Sequence, residues 1–275
     1  MTFDEAARKL AAAGIESPRA EARLLYAHAL GVTRDEALSP TLRATPEQAA
    51  GFAAMVARRA AREPSAYITG HKEFWSMDFA VGPGVLVPRP DSETLIEEAL
   101  RIFPDRATPL RIADLGAGSG ILLIAALKEF PRASGIGFER SPEALVWARR
   151  NAERLVPGRA DIRPDDWNVA PENNFDLIFC NPPYIPSGEI DSLMPDVAGY
   201  EPRAALDGGP DGLAAYRDLA RLLPRLLKTG GRAILEIGAG QAPAMEPLFR
   251  DSGLRVSHIT PDLAGIPRAL VLEKG

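Results

Sequence analysis

Hydrophobic residues recur every three or four positions over the first part of the chain, which is the spacing of amphipathic helices. They form two stripes, namely Phe3, Ala6, Ala7, Leu10 and Ala11, followed by Ala22, Leu24, Leu25, Ala29 and Leu30. Gly14 and Gly31 lie where these helices should end, and Thr45 before Pro46 is a typical helix start. The pattern predicts a small helical bundle at residues 1–70, without strands.

The pattern changes after residue 63, where aromatic and β-branched residues are separated by glycine and proline. The strand-favouring residues of this stretch are Tyr67, Ile68, Phe74, Trp75, Phe79, Val81, Val85 and Val87. The residues that interrupt them are Gly70, Gly82, Pro83, Gly84, Pro88 and Pro90. We therefore predict a short β-hairpin, placed at residues 71–90, that links two domains.

Short apolar runs alternate with longer helical patterns over residues 91–275. The predicted strands are Leu110–Leu115, Ser134–Glu139, Ala160–Arg163, Phe175–Cys180, Arg232–Ile237, Arg255–Thr260 and Arg268–Leu272. The predicted helices lie near 91–103, 120–129, 142–155, 212–227 and 241–252. Strands alternating with helices predict an α/β fold with a doubly wound, mostly parallel, seven-stranded Rossmann-like sheet.

The composition, 46% hydrophobic and 25% charged, is that of an ordinary globular protein. The longest unbroken apolar run, Ile121 to Leu127, is far shorter than the roughly 20 residues of a membrane helix. The first residues carry acids and lack the apolar core of a signal peptide, so we expect a cytoplasmic protein without membrane contact. A single cysteine, Cys180, excludes an internal disulfide, and together with three histidines it argues against a metal site.

The net charge of −5 argues against a protein built to grip nucleic-acid backbone, so we expect no direct nucleic-acid partner. In the helical region, however, Arg58, Arg59 and Arg62 lie within about one and a half helical turns of one another. The simplest interpretation is a solvated helix face, and the alternative is a basic surface that docks a partner.

A glycine-rich turn follows the first predicted strand of the sheet and opens the next helix. It consists of Gly116, Ala117, Gly118, Ser119 and Gly120. Glycine lets the backbone turn sharply and lets a ligand come close, while the helix start offers unpaired N–H groups. A nicotinamide or flavin site requires G-x-G-x-x-G, but here the third glycine comes one residue early. The spacing argues against a dinucleotide, and a turn used only for packing stays open as an alternative.

Acidic and aromatic residues at the strand ends indicate an adenosine-containing ligand. Glu139 ends the second strand, where a carboxylate can accept hydrogen bonds from both ribose hydroxyls. Asp114 ends the first strand and is predicted to contact the ligand's ammonium end or to order the loop. Asp166 and Trp167 follow the third strand, where one can hydrogen-bond an adenine ring and the other can pack on it.

The segment Asn181-Pro182-Pro183-Tyr184 leaves the end of the hydrophobic strand Phe175–Cys180. Two prolines remove two N–H donors and stiffen the turn, so mainly acceptors remain. The Asn181 side-chain oxygen and the Pro182 carbonyl can accept both hydrogens of a planar nitrogen, and the Tyr184 ring can stack on the planar group. We therefore predict a site for a planar NH₂ group at the carboxyl end of this strand.

These segments resemble the HemK/PrmC family of S-adenosylmethionine-dependent methyltransferases. Further family-like segments are Pro64–Gly70 with Glu73 and Phe74, Val87–Thr94, Ser141–Leu145, Asp166 with Trp167, Glu201–Leu206 and Asp262–Gly265. The resemblance implies methylation, with S-adenosylhomocysteine as the second product, of the glutamine amide in the Gly-Gly-Gln motif of class I peptide chain release factors. It also implies a Rossmann-like methyltransferase domain at 91–275 and a substrate-docking role for the helical domain, and we expect a monomer.

The resemblance and the residue chemistry together assign the site. The predicted catalytic residues are Asn181, Pro182 and Tyr184, and the predicted substrate-binding residues are Asn181, Pro182, Pro183 and Tyr184. The predicted cofactor-binding residues are Asp114, Gly116, Ala117, Gly118, Ser119, Gly120, Glu139, Asp166, Trp167 and Asn181.

Two positions depart from the family pattern, because Glu139 stands where aspartate is usual and Ser92 where threonine is usual. Three alternatives stay open: a glutamine methyltransferase of a ribosomal protein, an adenine or guanine amino methyltransferase of nucleic acid, and a non-enzymatic protein that only binds S-adenosylmethionine. The acidic composition argues against the second alternative. The intact Asn-Pro-Pro-Tyr argues against the third.

Overall fold

The computed structural model describes residues 1–39, 41–172 and 174–274. The chain divides into two compact units. The first comprises Met1–His71 and Met194–Tyr200, and the second comprises Lys72–Leu193 and Glu201–Gly275. Residue 40 of the predicted helical domain, and residues 173 and 275 of the predicted catalytic domain, lie outside the described residues.

The first unit is helical, as its hydrophobic pattern predicts. Its helices are α1 (Phe3–Ala12), α2 (Pro18–Leu30), α3 (Pro46–Ala60) and the short α4 (Ser65–Thr69), with a 3₁₀ turn at Glu36–Leu38. Thr45 caps α3, since its hydroxyl accepts the Gln48 N–H while the Gln48 side chain accepts the Thr45 N–H. Gly31 ends α2 with a φ of 68°. Leu10, Leu25 and Phe52 are fully buried between the helices.

The hairpin begins at residue 71, where it was predicted, and its second strand ends at residue 80 rather than near 90. Its strands are β1 (His71–Phe74) and β2 (Met77–Ala80). Tyr67 and Ile68 are strand-favouring residues, but both lie in α4, within the predicted helical domain, and are buried there. Pro64 starts that single turn and Gly70 ends it at a φ of 77°, so the local boundary residues override the β propensity of the two side chains.

The three arginines at the end of α3 do not form the free basic face considered above. Arg59 is buried, and its guanidinium contacts Glu21 Oε2 at 3.2 Å and Asp196 Oδ2 at 2.7 Å. Arg62 contacts the other oxygen of Asp196 at 2.5 Å. Arg58 pairs with an acidic residue in the following turn and is the most exposed of the three. All three positive charges are therefore paired with carboxylates of the first unit.

We expect Arg59→Met to lower the free energy of unfolding by about 3 kcal/mol, because the change leaves the partly buried Glu21 without its guanidinium partner and Asp196 with Arg62 alone. Arg58→Met is the matched control, since the Arg58 side chain is 47% exposed and a surface pair contributes about 0–1 kcal/mol. Urea unfolding of both variants checks the difference. Equal losses would show that the Arg59 pairs are no stronger than a surface contact.

The second unit contains the predicted seven-stranded sheet, with the strand order β5-β4-β3-β6-β7-β9-β8. Its strands are β3 (Arg111–Leu115), β4 (Ser134–Phe138), β5 (Ala160–Arg163), β6 (Phe175–Cys180), β7 (Leu227–Glu236), β8 (Leu254–Pro261) and β9 (Pro267–Lys274). The ladders between β5 and β7 are parallel, and β9 is antiparallel to both its neighbours. The predicted doubly wound, mostly parallel sheet is confirmed.

Helices flank this sheet at the predicted places. They are α5 (Glu93–Ile102), α6 (Ile121–Glu129), α7 (Pro142–Leu155), α9 (Ala214–Leu226) and α10 (Ala242–Arg250), while the short α8 (Pro195–Ala198) belongs to the first unit. No helix among the described residues is both long and apolar enough to span a membrane.

The strand order reverses beside β3, because β4 and β5 lie on one side of it and β6 and β7 on the other. In open α/β sheets this switch point, at the carboxyl ends of the strands, is where ligands bind. The ends of β3 and β6 are joined there by the buried Cys180 thiol, which donates to the Leu115 carbonyl at 2.9 Å. Burial raises the pKa of Cys180, so the thiol keeps its proton and acts structurally.

Candidate active site

A cavity of about 310 Å³ opens at the switch point of the sheet, which is large enough for a small-molecule ligand. Ten predicted site residues line it: Asp114, Gly116, Ala117, Gly118, Ser119, Glu139, Asp166, Trp167, Asn181 and Pro183. Gly120, Pro182 and Tyr184 are not among its lining residues. The fold therefore brings together residues that are spread over 70 positions of the sequence.

The glycine loop has a backbone that L side chains rarely adopt. Gly116, Gly118 and Gly120 have φ values of 79°, 56° and 85°. The N–H groups of Gly116 and Ala117 both donate to the Phe138 carbonyl, which ties the loop to the end of β4. Gly120 caps α6 rather than lining the cavity, and a Cβ there would press on an isoleucine side chain of that helix at 3.0 Å. Its requirement for glycine is thus one of turn geometry and packing.

A buried asparagine that the sequence did not single out holds this loop from behind. The Asn151 side chain donates to the Ser119 carbonyl at 3.0 Å and to the Ala80 carbonyl at 2.9 Å, and it accepts the Ala80 N–H at 2.8 Å. The end of the hairpin strand β2 is therefore connected to the glycine loop through one side chain.

Glu139 is fixed by two backbone amides. Its Oε2 accepts the Gly118 N–H at 2.8 Å, and its Oε1 accepts the Ser141 N–H at 2.7 Å. A carboxylate has about four acceptor positions, so each oxygen keeps one for a further donor. The longer side chain at this position is thus compatible with the predicted contact to ribose hydroxyls.

Asp114 carries an unpaired acceptor. It is 1% exposed, its Oδ2 accepts the Leu123 N–H at 3.3 Å, and its Oδ1 is buried without a hydrogen-bond partner. Burial raises the pKa of Asp114 to about 7, and the nearby Glu139 carboxylate adds to the rise. A buried acceptor without a partner costs free energy, and a cationic ligand group in the cavity would recover it.

Trp167 forms a flat wall of the cavity beside the glycine loop. A Cβ built on Gly116 would lie 3.4 Å from the Trp167 ring, so the loop and the indole are in close contact. Asp166 starts the 3₁₀ turn that carries the indole, because its Oδ1 accepts the Asn168 N–H at 3.0 Å. The acid and the ring are therefore placed by one local turn, and their contact with an adenine ring stays a prediction.

Asn181 follows β6 directly, and its side chain is held through its nitrogen. Nδ2 donates to Glu236 Oε2 at 2.8 Å and lies 3.3 Å from Ser92 Oγ. The side-chain oxygen is left for a donor in the cavity that the residue lines.

Tyr184 is mostly buried and bonds the same acid. Its hydroxyl donates to Glu236 Oε1 at 3.3 Å, and its carbonyl accepts from Gln241 Nε2 at 3.0 Å. Burial, together with the Glu236 carboxylate, raises the pKa of Tyr184, so the hydroxyl stays protonated and remains a donor. The sequence analysis assigned a role only to the ring, and stacking on the substrate stays a prediction.

Two family-like segments to which the sequence analysis assigned no role, Val87–Thr94 and Glu201–Leu206, meet at the cavity. Arg89 Nη2 donates to Glu201 Oε1 at 2.6 Å, and the Val87 N–H donates to Glu201 Oε2 at 3.3 Å. Arg89, Ser92 and Pro202 line the cavity. No local pattern could have linked the two segments, because Arg89 and Glu201 are 112 positions apart.

Comparison with known proteins identifies related chains. Residues 2–70 match the PrmC N-terminal domain, and residues 93–194 match the methyltransferase small domain. A release factor glutamine methyltransferase of Caulobacter vibrioides is 44% identical over 266 residues, covering 96% of this chain and 92% of the relative. One of Rhodospirillum rubrum is also 44% identical, over 99% of this chain and 84% of the relative.

A crystal structure of a methyltransferase from Pyrococcus furiosus superimposes with a TM-score of 0.53 at 20% identity. The match covers 74% of this chain and 92% of that one. At this identity the likeness concerns the fold alone, and it agrees with the observed sheet.

Proposed function

The chain belongs to the family of release factor glutamine methyltransferases, and from this premise we propose that it methylates the side-chain amide of a glutamine in a class I peptide chain release factor. The methyl donor is S-adenosylmethionine, and the target is the glutamine of the Gly-Gly-Gln motif. The observation that carries the proposal is the Asn181 side chain, whose nitrogen is bonded within the protein while its oxygen remains for a ligand.

The cavity residues fit S-adenosylmethionine. The unpaired Asp114 oxygen suits the ammonium of the methionine part, Glu139 keeps acceptors for the ribose hydroxyls, and Trp167 offers a flat surface for adenine. The glycine loop leaves room for the ligand, since a Cβ on Gly118 would meet no atom closer than 3.9 Å. When bound, the cofactor supplies an activated methyl group on a sulfonium.

The protein's contribution to the chemistry is to place and polarise the amide nitrogen. An amide nitrogen is a poor nucleophile, because its lone pair is delocalised. Asn181 Oδ1 and the Pro182 carbonyl accept its two hydrogens, orient it and stabilise the positive charge that develops during transfer. Orientation of this kind can supply about 7–11 kcal/mol of the barrier. The proton is then lost to solvent.

The test is to incubate the protein with labelled S-adenosylmethionine and a whole class I release factor, and to map the modified residue by mass spectrometry. We expect a single added methyl on the Gly-Gly-Gln glutamine and none on a factor with Gln→Asn at that position. Parallel reactions with ribosomal proteins and with DNA cover the two enzymatic alternatives. Methylation of either, without methylation of the release factor, would overturn the proposal.

We assign release-factor docking to the helical unit and expect the enzyme to act as a monomer in the cytoplasm, where release factors work. Methyl transfer to one side chain needs little surface, yet about a quarter of the chain forms a separate unit. Remote contacts of this kind orient a substrate. The whole release factor should therefore be methylated faster than a short Gly-Gly-Gln peptide. Equal rates for the factor and the peptide would contradict the docking role and would mean that the catalytic unit alone selects the substrate.

Cofactor affinity should depend on pH through Asp114. Its folded-state pKa of about 7 lies above the usual value, so the empty protein holds this proton and loses stability as pH rises towards 7. A cationic ligand group prefers the ionised carboxylate. We therefore expect S-adenosylhomocysteine to bind about tenfold more weakly at pH 6 than at pH 8, with proton release below pH 7.

Isothermal titration calorimetry at both pH values, in buffers of different ionisation enthalpy, measures the affinity and the released proton. Asp114→Asn should bind weakly and without this pH dependence. Equal affinity of the unaltered protein at pH 6 and pH 8 would show that Asp114 does not contact the ligand's charged end.

A further inference from the structure

A buried carboxylate lies behind the Asn-Pro-Pro-Tyr segment. Glu236 ends β7, the neighbour of β6 in the sheet, and is 1% exposed. Its Oε2 lies 2.8 Å from Asn181 Nδ2 and 2.5 Å from Ser92 Oγ, and its Oε1 lies 3.3 Å from the Tyr184 hydroxyl. Three side chains from two separate segments therefore converge on one acid.

The two ends of an asparagine amide have nearly the same shape, so only hydrogen bonds decide which end faces the ligand. An ionised carboxylate accepts and never donates. It must therefore face Asn181 Nδ2, because turning the amide over would bring two acceptors together in a buried place. Glu236 thus determines that the oxygen of Asn181, rather than its nitrogen, is available in the cavity.

We propose that Glu236 is a positioning residue for methyl transfer, which acts through Asn181 by holding its amide with the oxygen towards the substrate nitrogen. The inference rests on the proposed function, because it concerns how the same site receives an NH₂ group. Burial raises the pKa of Glu236, while the hydrogen bond from Ser92 opposes the rise. Ser92 can reverse its hydroxyl, so a protonated Glu236 would still leave Asn181 Nδ2 facing acceptors.

The backbone at this position is held independently of the side chain. The Tyr216 hydroxyl donates to the Glu236 carbonyl at 2.8 Å, and the strand pairs with β6 and β9. Changing the Glu236 side chain should therefore alter the Asn181 contact more than the strand. A glutamine can turn its oxygen to Asn181 and Ser92 and its nitrogen to the Tyr184 oxygen, so it should preserve the orientation.

The activity test compares kcat on a release factor for Glu236→Ala, Glu236→Gln, Asn181→Ala and the double variant Glu236→Ala with Asn181→Ala. We expect Glu236→Ala to lower kcat about 100-fold, while its Kd for S-adenosylmethionine stays within about twofold of that of the unaltered enzyme. The kcat of Glu236→Gln should be about tenfold higher than that of Glu236→Ala. The double variant should match Asn181→Ala within about threefold, since residues that act as a unit are not additive. Lys228→Met, which removes the pair with Asp176 at the opposite end of β7 and touches neither Glu236 nor Asn181, is the control and should stay within about twofold of the unaltered enzyme.

Independent losses that multiply in the double variant would overturn the proposal, as would a kcat for Glu236→Ala within threefold of the unaltered enzyme. If Glu236→Ala does not fold, Glu236→Leu replaces it in the comparison of single and double variants, because leucine fills the space without supplying an acceptor.

A second measurement does not depend on activity. The chain has five asparagines, so ¹⁵N-asparagine labelling gives few side-chain NH₂ signals, and Asn181→Ala assigns the relevant pair. We expect slow hydrogen exchange for this pair in the unaltered protein and at least tenfold faster exchange in Glu236→Ala. Fast exchange in the unaltered protein would overturn the inference even if release factors are methylated. Slow exchange without any methylation of a release factor would instead reject the proposed function.

Discussion

Asn181→Ala is expected to reduce kcat on the release factor by about 100-fold while leaving the affinity for S-adenosylmethionine within about twofold. The variant removes an acceptor from the substrate amide, and a hydrogen bond at a developing charge contributes about 1.5–3 kcal/mol or more. It also leaves the buried Glu236 without one of its donors. Cofactor affinity should change little, because Asn181 is only one of the predicted cofactor-binding residues and Asp114, Glu139 and Trp167 keep their predicted contacts.

Asn174→Ala is the matched control for this prediction. Asn174 immediately precedes β6, whereas Asn181 immediately follows it, so the same residue type is removed from opposite ends of one strand. Single-turnover methylation, with cofactor affinity measured separately, distinguishes a loss of chemistry from a loss of binding. A loss of less than threefold for Asn181→Ala would contradict the assigned acceptor role.

Gly118→Val is expected to abolish measurable binding of S-adenosylmethionine. Gly118 has a φ of 56°, which a β-branched residue resists, and strain of this kind costs of order 1–3 kcal/mol. Space for a Cβ exists, since the nearest atom would be Val85 Cγ2 at 3.9 Å. The new side chain would therefore extend into the cavity without preventing folding, and it would disturb the Gly118 N–H that Glu139 accepts.

Gly158→Val separates backbone strain from occlusion of the cavity. Gly158 has a φ of 72°, a Cβ there would meet no atom within 4 Å, and the residue does not line this cavity. Both variants should lose similar stability in thermal unfolding, but only Gly118→Val should fail to bind in calorimetry. Unchanged affinity in a folded Gly118→Val protein would contradict the role of the loop.

Local sequence patterns determined the order and type of most elements. Helical spacing predicted α1–α3, and the alternation of apolar runs with helical patterns predicted the seven-stranded sheet with its five flanking helices. The glycine loop and Asn181–Tyr184 were recognisable because each depends on the backbone geometry of adjacent residues. Such features follow from short-range sterics and from periodic burial, which neighbouring residues encode.

The residues at which helices and strands begin and end were harder to predict from the sequence than the hydrophobic patterns within them. Tyr67 and Ile68 favour strands, but Pro64 and Gly70 confine them to one buried helical turn. Here the flanking residues and burial, rather than intrinsic propensity, decided the local structure.

Only the tertiary structure decided which distant side chains share a partner. The sequence shows that Arg59 is charged, but it does not show which residue pairs with it. The partner, Asp196, is 137 positions away and comes within reach because the segment Met194–Tyr200 belongs to the helical unit. Glu236 gave no sequence signal, yet it lies beside Asn181, 55 positions earlier, because β6 and β7 are neighbours in the sheet. A buried charge or amide must find its partner in space, and strand order rather than sequence spacing determines which groups are within reach.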